Sequence, residues 1–387
     1  MTSIKKCIVR ILKQVFALLS YILPKKKKQI FFRSKPDYSG NCKALSDYIT
    51  KYHPEYTQIW SLSHVRTLPN GYKAVKHGTL TSLCFFLRSQ YIVTTHNEMI
   101  GIKSTNQKYI SLWHGMPLKK ICYLGEFDHY GMEDYSALRI ATSEVMRSII
   151  SACFREKANN VYVTGQPRND YLFESDKFNL LNYDIPDDKK IIAYMPTFRE
   201  NFEDKNFSDG NCIDHDNFLR VRDFNLEALD EFLSANNIIL LLKLHPYEEI
   251  SLQNSNIKSN NIKIVNSEEL ADKHLDVNHV LARAHCLITD YSSAYFDYLI
   301  LKKPIIFLTP DVDKYSISRG GFTLEPFNEW TPGRKIDSQK ELLEEISNLL
   351  INNSDEYIEH RDRINSIINR YTDSNNSKRV YEKFFGV

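Results

Sequence analysis

The chain has 387 residues, of which 42% are apolar and 25% are charged, and its formal net charge is +2. This length fits two domains better than one compact core, and the composition excludes a disordered chain, a collagen-like chain and a polytopic membrane protein. Because 50 basic residues nearly balance 48 acidic ones, no overall field draws the chain to nucleic acid, and the seven scattered cysteines, without a C-x-x-C pair, argue against a disulfide framework or a zinc knuckle.

The N-terminal segment is basic and amphipathic. Ten basic residues precede the first acid, Asp37, and apolar residues recur at helical spacing between Ile4 and Leu23. The uncharged run from Gln14 to Leu23 is shorter than the roughly 20 residues of a membrane-spanning helix, and no A-x-A cleavage site follows it. We therefore predict that residues 1–28 form an amphipathic helix on an anionic membrane surface; a helix packed on the body of the protein is the alternative.

Beyond this helix, short apolar strands alternate with helices in two series, which is typical of βαβ units in parallel sheets. The first predicted series contains strands at Gln29–Phe32, Thr57–Leu62, Tyr91–Thr95, Lys108–Trp113, Ile140–Thr142 and Val161–Thr164, with helices at Gly40–His53 and Glu144–Glu156. The second contains strands at Lys190–Tyr194, Ile238–Leu244, Ile262–Val265, Cys286–Thr289 and Pro304–Leu308, before a mostly helical tail. A polar stretch from Glu174 to Lys190 separates the two series as a linker.

This order predicts an α/β protein with two doubly wound, Rossmann-type domains that face each other across a cleft. We place an N-terminal domain at residues 29–180 and a C-terminal domain at residues 190–370. A final helix at residues 371–387 is expected to pack back on the N-terminal domain. Ligands of such sheets bind beyond the carboxyl ends of the strands, so candidate site residues should follow the strands directly.

Two polar segments follow strands of the first series. In the segment Trp113 to Lys120, His114 either takes a proton from an attacking hydroxyl or forms a hydrogen bond to a neighbouring loop. In the segment Gly165 to Asp170, Arg168 is placed to reach a phosphate, although the spacing alone favours helix capping and turn formation.

Two further segments follow strands of the second series. In Met195 to Arg199, a hydroxyl and a guanidinium suit an anionic ligand, and a turn with a surface arginine is the alternative. In Lys243 to Pro246, a cation and His245 end the most apolar strand of the chain. Polar groups at such a buried position are costly unless they meet a ligand or each other, which favours a functional role.

The last segment runs from Thr289 to Tyr298, where a helix is predicted to begin near Ser292 or Ser293. The free N–H groups of the helix start and two hydroxyls suit an anion, whereas ordinary N-capping is the alternative. Asp297 lies one turn further on, where it is placed to accept from ribose hydroxyls. No G-x-G-x-x-G, Walker, H-E-x-x-H or G-x-S-x-G motif supports another reaction class.

Taken together, these segments resemble the motifs of the CDP-glycerol glycerophosphotransferase family, the teichoic acid primases and polymerases. The family pattern W-H-G-T-P-L-K, G-x-P-R-N-D, P-T-W-R, R-x-H-P and T-D-Y-S-S is similar in order to Trp113–Lys119, Gly165–Asp170, Pro196–Arg199, Lys243–Pro246 and Thr289–Ser293, with Arg319–Phe322 and Pro332–Gly333 after them. The resemblance covers about residues 30–375. This chain departs from the family pattern at Met116, Gln166, Phe198 and Lys243.

The resemblance implies a GT-B fold, with an acceptor domain at the N-terminus and a donor domain for a CDP-linked polyol at the C-terminus. It implies that an acceptor hydroxyl attacks the β-phosphate of CDP-glycerol and releases CMP, with His114 as general base and His245 as the second catalytic residue. Lys243, His245 and the helix start would offset the pyrophosphate charge. The implied substrate-binding residues are His114, Gly115, Met116, Pro117, Leu118, Arg168, Pro196, Thr197, Lys243, His245, Ser292, Ser293 and Asp297.

No metal and no cofactor are expected for this reaction. The resemblance implies an acceptor glycan on undecaprenyl diphosphate at the cytoplasmic face of the cell membrane, for a teichoic acid or a capsule-type polymer. One alternative is a transferase of the same fold that uses CDP-ribitol or a nucleotide sugar. The other is a non-catalytic, membrane-associated nucleotide-binding protein, against which the retention of both His114 and His245 argues.

Overall fold

The structure is a computed structural model that describes residues 3–65, 68, 72–125, 132–199, 217–245, 248–249, 257 and 259–386. Only the backbone is described for residues 3–9 and for Arg319, and Pro246 of the fourth predicted motif lies outside the described residues. The chain forms two compact units. The first contains Met1–Gly115, Glu133–Asp170 and Asp373–Val387, and the second contains Met116–Met132 and Tyr171–Thr372.

The first unit is built on a parallel sheet of seven strands in the order β3-β2-β1-β4-β5-β6-β7. The strands are β1 Lys26–Arg33, β2 Thr57–Leu62, β3 Tyr72–Lys76, β4 Ser89–Thr94, β5 Lys108–Ser111, β6 Leu138–Ala141 and β7 Val161–Val163. The helices of this unit are Ser3–Ile22, Gly40–Tyr52, Leu80–Arg88, Glu144–Phe154 and Asn376–Phe384. Strand order reverses between β1 and β4, which is where ligands bind in doubly wound sheets.

Alternate side chains of the first sheet enter two separate cores, as the two-residue period of a strand requires. Ile30 and Phe32 face the core that the C-terminal helix covers with Val380 and Phe384. Phe31 faces the opposite core, which is partly closed by apolar residues of the N-terminal segment. Both ends of the chain therefore pack on this one sheet.

The N-terminal helix Ser3–Ile22 packs on the first unit along one face only. Phe16 lies against the second core of the sheet, and the buried Ser20 hydroxyl donates to Oε1 of Gln107 at 2.8 Å. The opposite face remains exposed and carries Ile11, Leu12, Val15, Leu18, Leu19, Tyr21 and Ile22. No helix among the described residues has the length and apolar character that crossing a membrane requires.

The second unit is built on a parallel sheet of six strands in the order β10-β9-β8-β11-β12-β13, with the reversal between β8 and β11. The strands are β8 Lys190–Met195, β9 Ile238–Leu242, β10 Ile262–Ile264, β11 Cys286–Thr289, β12 Ile305–Leu308 and β13 Lys335–Ile336. The α-helices are Leu226–Ala235, Ser267–Asp272, Val277–Arg283, Ala294–Tyr298, Val312–Arg319, Phe327–Trp330, Gln339–Ile346 and Ile358–Ile368. All five residues of β9 are buried, as its continuous apolar run predicts.

The segment predicted as a polar linker has structure of its own. Residues Ser175–Leu181 form a 3₁₀ helix, and Phe178 and Leu181 pack in a core with Ile191 and Leu241 of the second sheet. Residues 171–180, which the sequence assigns to the N-terminal domain, thus belong to the second compact unit. Apolar side chains within the otherwise polar stretch produce this difference, since Tyr183 and Ile185 pack against the same core as Phe178 and Leu181.

Candidate functional site

The predicted site segments follow β5, β7, β8, β9 and β11, at the carboxyl ends of the two parallel sheets. The division between the compact units falls within the first motif. His114 and Gly115 belong to the first unit, and Met116, Pro117 and Leu118 belong to the second. We therefore describe the site residues of each unit in turn.

His114 is exposed. It follows the strand β5, beyond the buried Leu112. Trp113 between them has φ of 53°, a left-handed conformation that is uncommon for a bulky residue. The His114 ring stacks on His96, with ring centroids 4.3 Å apart and planes at 11°, and its centroid lies 4.2 Å from that of Trp113. This turn brings the imidazole to the surface at the edge where substrates bind.

His96 follows β4, next to the point where the strand order reverses, and was not among the predicted site residues. Its Nδ1 lies 2.8 Å from the Thr95 hydroxyl. Burial, with the nearby charges of Lys35 and Arg33, lowers the pKa of His96 to about 4. The histidine that stacks on His114 is therefore neutral at physiological pH.

Arg168 and Asn41 fix the main chain around His114. The Arg168 guanidinium donates from Nη1 to the His114 carbonyl at 2.7 Å. The Asn41 amide donates to the carbonyls of Leu112 and Trp113, both at 3.1 Å. The structure thus brings two predicted residues, His114 and Arg168, together, and adds Asn41, which no sequence motif marks.

The G-x-P-R-N-D segment holds the start of the C-terminal helix. Asp170 accepts from the main-chain N–H groups of Asn376 and Ser377, each at 2.8 Å. Gly165 has φ of +77°, and a Cβ on it would lie 1.9 Å from Oδ1 of Asn376. The sequence predicts that Asn169 or Asp170 caps the next helix, whereas in the structure Asp170 caps the last helix of the chain.

In the second unit, the rest of the first motif pairs with the later R-G-G-F segment. Lys119 forms an antiparallel bridge with Phe322, and Thr323 donates from its main-chain N–H to the Leu118 carbonyl at 2.8 Å. The side chains of Met116, Pro117 and Leu118 are buried. The side chains of these three predicted residues are therefore enclosed within the protein.

The P-T-F-R segment after β8 is joined to β11 by a buried ion network. Thr197 donates to Oδ1 of Asp290 from its main-chain N–H at 2.7 Å and from its hydroxyl at 2.8 Å. Arg199 lies 2.8 Å from Asp290 and 3.4 Å from Asp311, and its side chain is 1% exposed. Arg199 is thus not the surface residue that the alternative interpretation expects, because its guanidinium is buried between two carboxylates; its anion-binding interpretation stays a prediction.

Lys243 is also engaged within the protein. Its ammonium donates to Glu249, to the Ser267 hydroxyl at 2.7 Å and to the Leu244 carbonyl at 2.8 Å. Burial lowers the pKa of Lys243, while the Glu249 carboxylate opposes that shift. With its three donors used, Lys243 holds the turn after β9 and can act on a pyrophosphate only through its charge.

His245 is exposed at the end of that turn and stacks on Phe198, with ring centroids 4.6 Å apart. This contact joins the segments after β8 and β9. Burial first, and then the charges of Lys243 and Lys119, lower the pKa of His245, whereas Glu249 raises it. A lowered pKa favours the neutral imidazole, which carries one donor and one acceptor nitrogen.

The T-D-Y-S-S segment begins a short helix, Ala294–Tyr298, with Ser293 at the N-cap position as predicted. The Ser292 hydroxyl accepts from the main-chain N–H of Ala294 at 3.3 Å. Ser292 and Ser293 are half-buried, but Asp297 is only 2% exposed. The two serines are therefore accessible to a ligand, whereas Asp297 points into the protein.

Comparison with known proteins identifies what these segments have in common with characterised families. The family model described as CDP-Glycerol:Poly(glycerophosphate) glycerophosphotransferase matches residues 15–386. The teichoic acid glycerol-phosphate transferase of Staphylococcus aureus (strain NCTC 8325 / PS 47) is 28% identical, with 99% of each chain covered. The teichoic acid poly(glycerol phosphate) polymerase of Bacillus subtilis (strain 168) is 26% identical in an alignment of 371 residues that covers 89% of this chain.

This chain spans about half the length of two of the polymerases that it matches, 47% of the Bacillus subtilis protein and 49% of the Staphylococcus epidermidis protein. A solved structure of the wall teichoic acid polymerase TagF superposes with a TM-score of 0.77 at 24% identity, over 99% of this chain and 94% of that one. This likeness confirms the predicted fold class, a GT-B-like α/β protein with two doubly wound parallel sheets.

Proposed function

Because this chain belongs to the CDP-glycerol:poly(glycerophosphate) glycerophosphotransferase family, we propose that it transfers glycerol phosphate from CDP-glycerol to a hydroxyl of a membrane-linked acceptor. The observation that carries this proposal is the exposed His114 imidazole, stacked on a neutral histidine at the carboxyl edge of the first sheet. The polymer is of the teichoic acid or capsule type. CMP is the second product.

The reaction requires one proton acceptor and a site that offsets phosphate charge. The acceptor hydroxyl loses its proton to His114 as its oxygen bonds to the β-phosphorus of CDP-glycerol. The bond from this phosphorus to the bridging oxygen breaks, and CMP leaves with the electron pair. Since the transferring phosphoryl group needs mostly positioning and charge stabilisation, no covalent nucleophile is required.

The second unit supplies the groups that we assign to the donor. His245 donates a hydrogen bond to the pyrophosphate, with the Ser292 and Ser293 hydroxyls as further donors. Lys243 contributes its positive charge from the turn below His245. Thr197 and the buried Asp297 shape the loops that carry these donors, and Pro196 and residues 115–118 contribute main chain.

The N-terminal helix supports a place of action on a membrane surface. Its exposed apolar stripe is followed directly by the exposed residues Lys26, Lys27 and Lys28. Apolar side chains beside a group of cations favour the interface of an anionic membrane. We therefore assign the protein to the cytoplasmic face of the cell membrane, where an acceptor on undecaprenyl diphosphate would be presented to His114.

The test is CMP release from CDP-glycerol with and without a lipid-linked disaccharide acceptor. We expect acceptor-dependent CMP, and a loss of about 100-fold or more in His114→Ala, because removal of a general base costs that much. Binding of CDP-glycerol to His114→Ala, measured by titration calorimetry, should be retained. His53→Ala is the matched control. It also removes an imidazole that stacks on an aromatic ring, that of Tyr381, but at a position away from the site.

Other outcomes would replace the proposal. CMP release from CDP-ribitol but not from CDP-glycerol would keep the fold and change the donor, and release of another nucleotide from a nucleotide sugar would do the same. Full turnover in His114→Ala would remove the general-base assignment. Binding of CDP-glycerol without turnover of any donor would indicate a nucleotide-binding protein that is not an enzyme.

A further inference from the structure

Asn41 joins three loops at the carboxyl edge of the first sheet. It is the second residue of the helix Gly40–Tyr52, which follows β1, and its side chain is completely buried. Its Nδ2 donates to the carbonyls of Leu112 and Trp113 after β5, each at 3.1 Å. Its Oδ1 accepts from the main-chain N–H of Arg168 after β7, also at 3.1 Å.

Only a carboxamide satisfies these three partners at once. The planar amide offers two N–H donors and an oxygen acceptor, whereas a carboxylate of the same shape offers acceptors alone. An aspartate at position 41 would face the carbonyls of Leu112 and Trp113 with another oxygen, and a leucine would leave all three main-chain groups buried without a partner. The contacts with the loop that carries His114 therefore require a carboxamide at position 41.

The two carbonyls that Asn41 holds flank the strained part of that loop. Trp113 has φ of 53°, and a left-handed conformation of a bulky residue persists only where surrounding contacts fix it. The turn at Trp113 places the His114 ring against His96. Arg168, whose main chain Asn41 also holds, in turn donates to the carbonyl of His114 at 2.7 Å.

We propose that Asn41 is a positioning residue for His114, which holds the imidazole where it meets the acceptor hydroxyl. This inference rests on the proposed function of His114 as general base. Asn41 is buried and does not itself meet substrate, so it acts through the hydrogen bonds that orient the loops after β5 and β7. Loss of these bonds should affect the rate of transfer and leave the donor groups of the second unit unchanged.

The test compares Asn41→Ala with the matched control Gln58→Ala. Gln58 is also a buried amide that makes three hydrogen bonds, to Ser46 and Thr50 of the same helix, but it lies near the start of β2. We expect kcat for CMP release to fall by about 10- to 100-fold in Asn41→Ala, because a misplacement of about 1 Å has such an effect. The KM for CDP-glycerol and the turnover of Gln58→Ala should change little.

A second readout does not depend on turnover. The rate at which diethyl pyrocarbonate modifies His114, measured on the isolated peptide, reports how the ring is held against His96. We expect this rate to change in Asn41→Ala and to stay at the wild-type value in Gln58→Ala. Asn41→Asp, which keeps the side-chain volume but removes both donors, should behave as Asn41→Ala does and provides a second variant if the alanine chain does not fold.

The outcomes separate this inference from the proposed function. If His114→Ala keeps full turnover, the general-base assignment fails, and the modification rates alone then decide whether Asn41 orients the ring. If Asn41→Ala matches Gln58→Ala in both kcat and modification rate, Asn41 contributes only to stability and the inference is overturned. A rise in the KM of Asn41→Ala for CDP-glycerol, without a change in its kcat, would overturn the inference as well.

Discussion

Arg199 lies between two carboxylates, with its side chain 1% exposed and those of Asp290 and Asp311 3% and 2% exposed. Its guanidinium also lies 5.0 Å from the ring centroid of Tyr291 and 4.7 Å from that of Tyr315. This enclosed guanidinium donates to Asp311 and to the Thr197 carbonyl and forms an ion pair with Asp290. The guanidinium joins the loop after β8 to the loops after β11 and β12. We therefore expect it to hold these three loops in place.

Removal of this cation leaves two buried carboxylates without their partner. We expect Arg199→Met to lower the free energy of unfolding by about 3–5 kcal/mol, as loss of one partner of a buried ion pair does. Arg283→Met is the control, because Arg283 is paired with the exposed Asp187 at 3.9 Å and should cost about 1 kcal/mol or less. Urea denaturation measures both. An unchanged midpoint for Arg199→Met with weaker binding of CDP-glycerol would instead assign Arg199 to the ligand.

The N-terminal helix has one face that packs on the first unit and one face that is exposed. Phe16 and Ser20 bind it to the first unit, and Leu23 after it packs on the same core. Deletion of residues 1–28 would remove these contacts and the first residues of β1, so loss of membrane binding in that deletion would have two explanations. Substitutions on the exposed face isolate the membrane contact.

We expect the double variant Leu18→Glu and Ile22→Glu to lose binding to vesicles that contain anionic lipid. Leu18 is 60% exposed and Ile22 is 66% exposed, so the substitutions should leave folding intact while they place two carboxylates against an anionic surface. Leu80→Glu is the matched control, since Leu80 is 79% exposed in another helix of the same unit. Co-sedimentation measures the bound fraction, and a double variant that binds as the wild type does would place the membrane contact elsewhere.

The sequence predicts the elements well where the apolar pattern is continuous. Thr57–Leu62 and Cys286–Thr289 form strands with the predicted bounds, since Ile59, Trp60 and Leu62 in the first and Leu287 and Ile288 in the second are buried apolar residues. The strands at Tyr72–Lys76 and Lys335–Ile336 were not predicted. Both lie at the edge of a sheet, where one is largely exposed and the other has two residues, so neither carries a strong apolar pattern.

In the whole molecule, the order of the motifs along the chain predicts which segments form the candidate site. The role of each charged residue in these segments depends on its contacts with residues that are distant in sequence. Lys243 and Arg199 both follow buried strands, which suggests ligand binding, yet their partners lie in other loops. Asn41 lies 71 positions from the carbonyl of Leu112 that it binds, and nothing in its own segment marks it. Sequence patterns of single strands and helices contain no such information, because the topology of the sheet creates the contact.

The pairing of buried carboxylates with Arg199 and Lys243 also bears on whether the reaction requires a divalent cation. Among the residues that the structure describes, no three or more His, Cys, Asp or Glu side chains are grouped closely enough to hold a metal ion. The carboxylates at the edge of the second sheet are matched within the protein, Asp290 and Asp311 by Arg199 and Glu249 by Lys243. A Mg²⁺ ion held by these described carboxylates and the substrate phosphates would compete with the cations that already pair with them.

We therefore expect the rate of CMP release in EDTA to lie within about twofold of the rate in Mg²⁺, since the proposed site offsets the pyrophosphate charge with His245 and the serine hydroxyls. The measurement is the acceptor-dependent rate in each buffer, with an added Mg²⁺-dependent nucleotide kinase as a control that EDTA has removed the ion. A loss of about tenfold or more in EDTA that Mg²⁺ restores would contradict this expectation. A cation that enters with the donor pyrophosphate would then take part in the reaction.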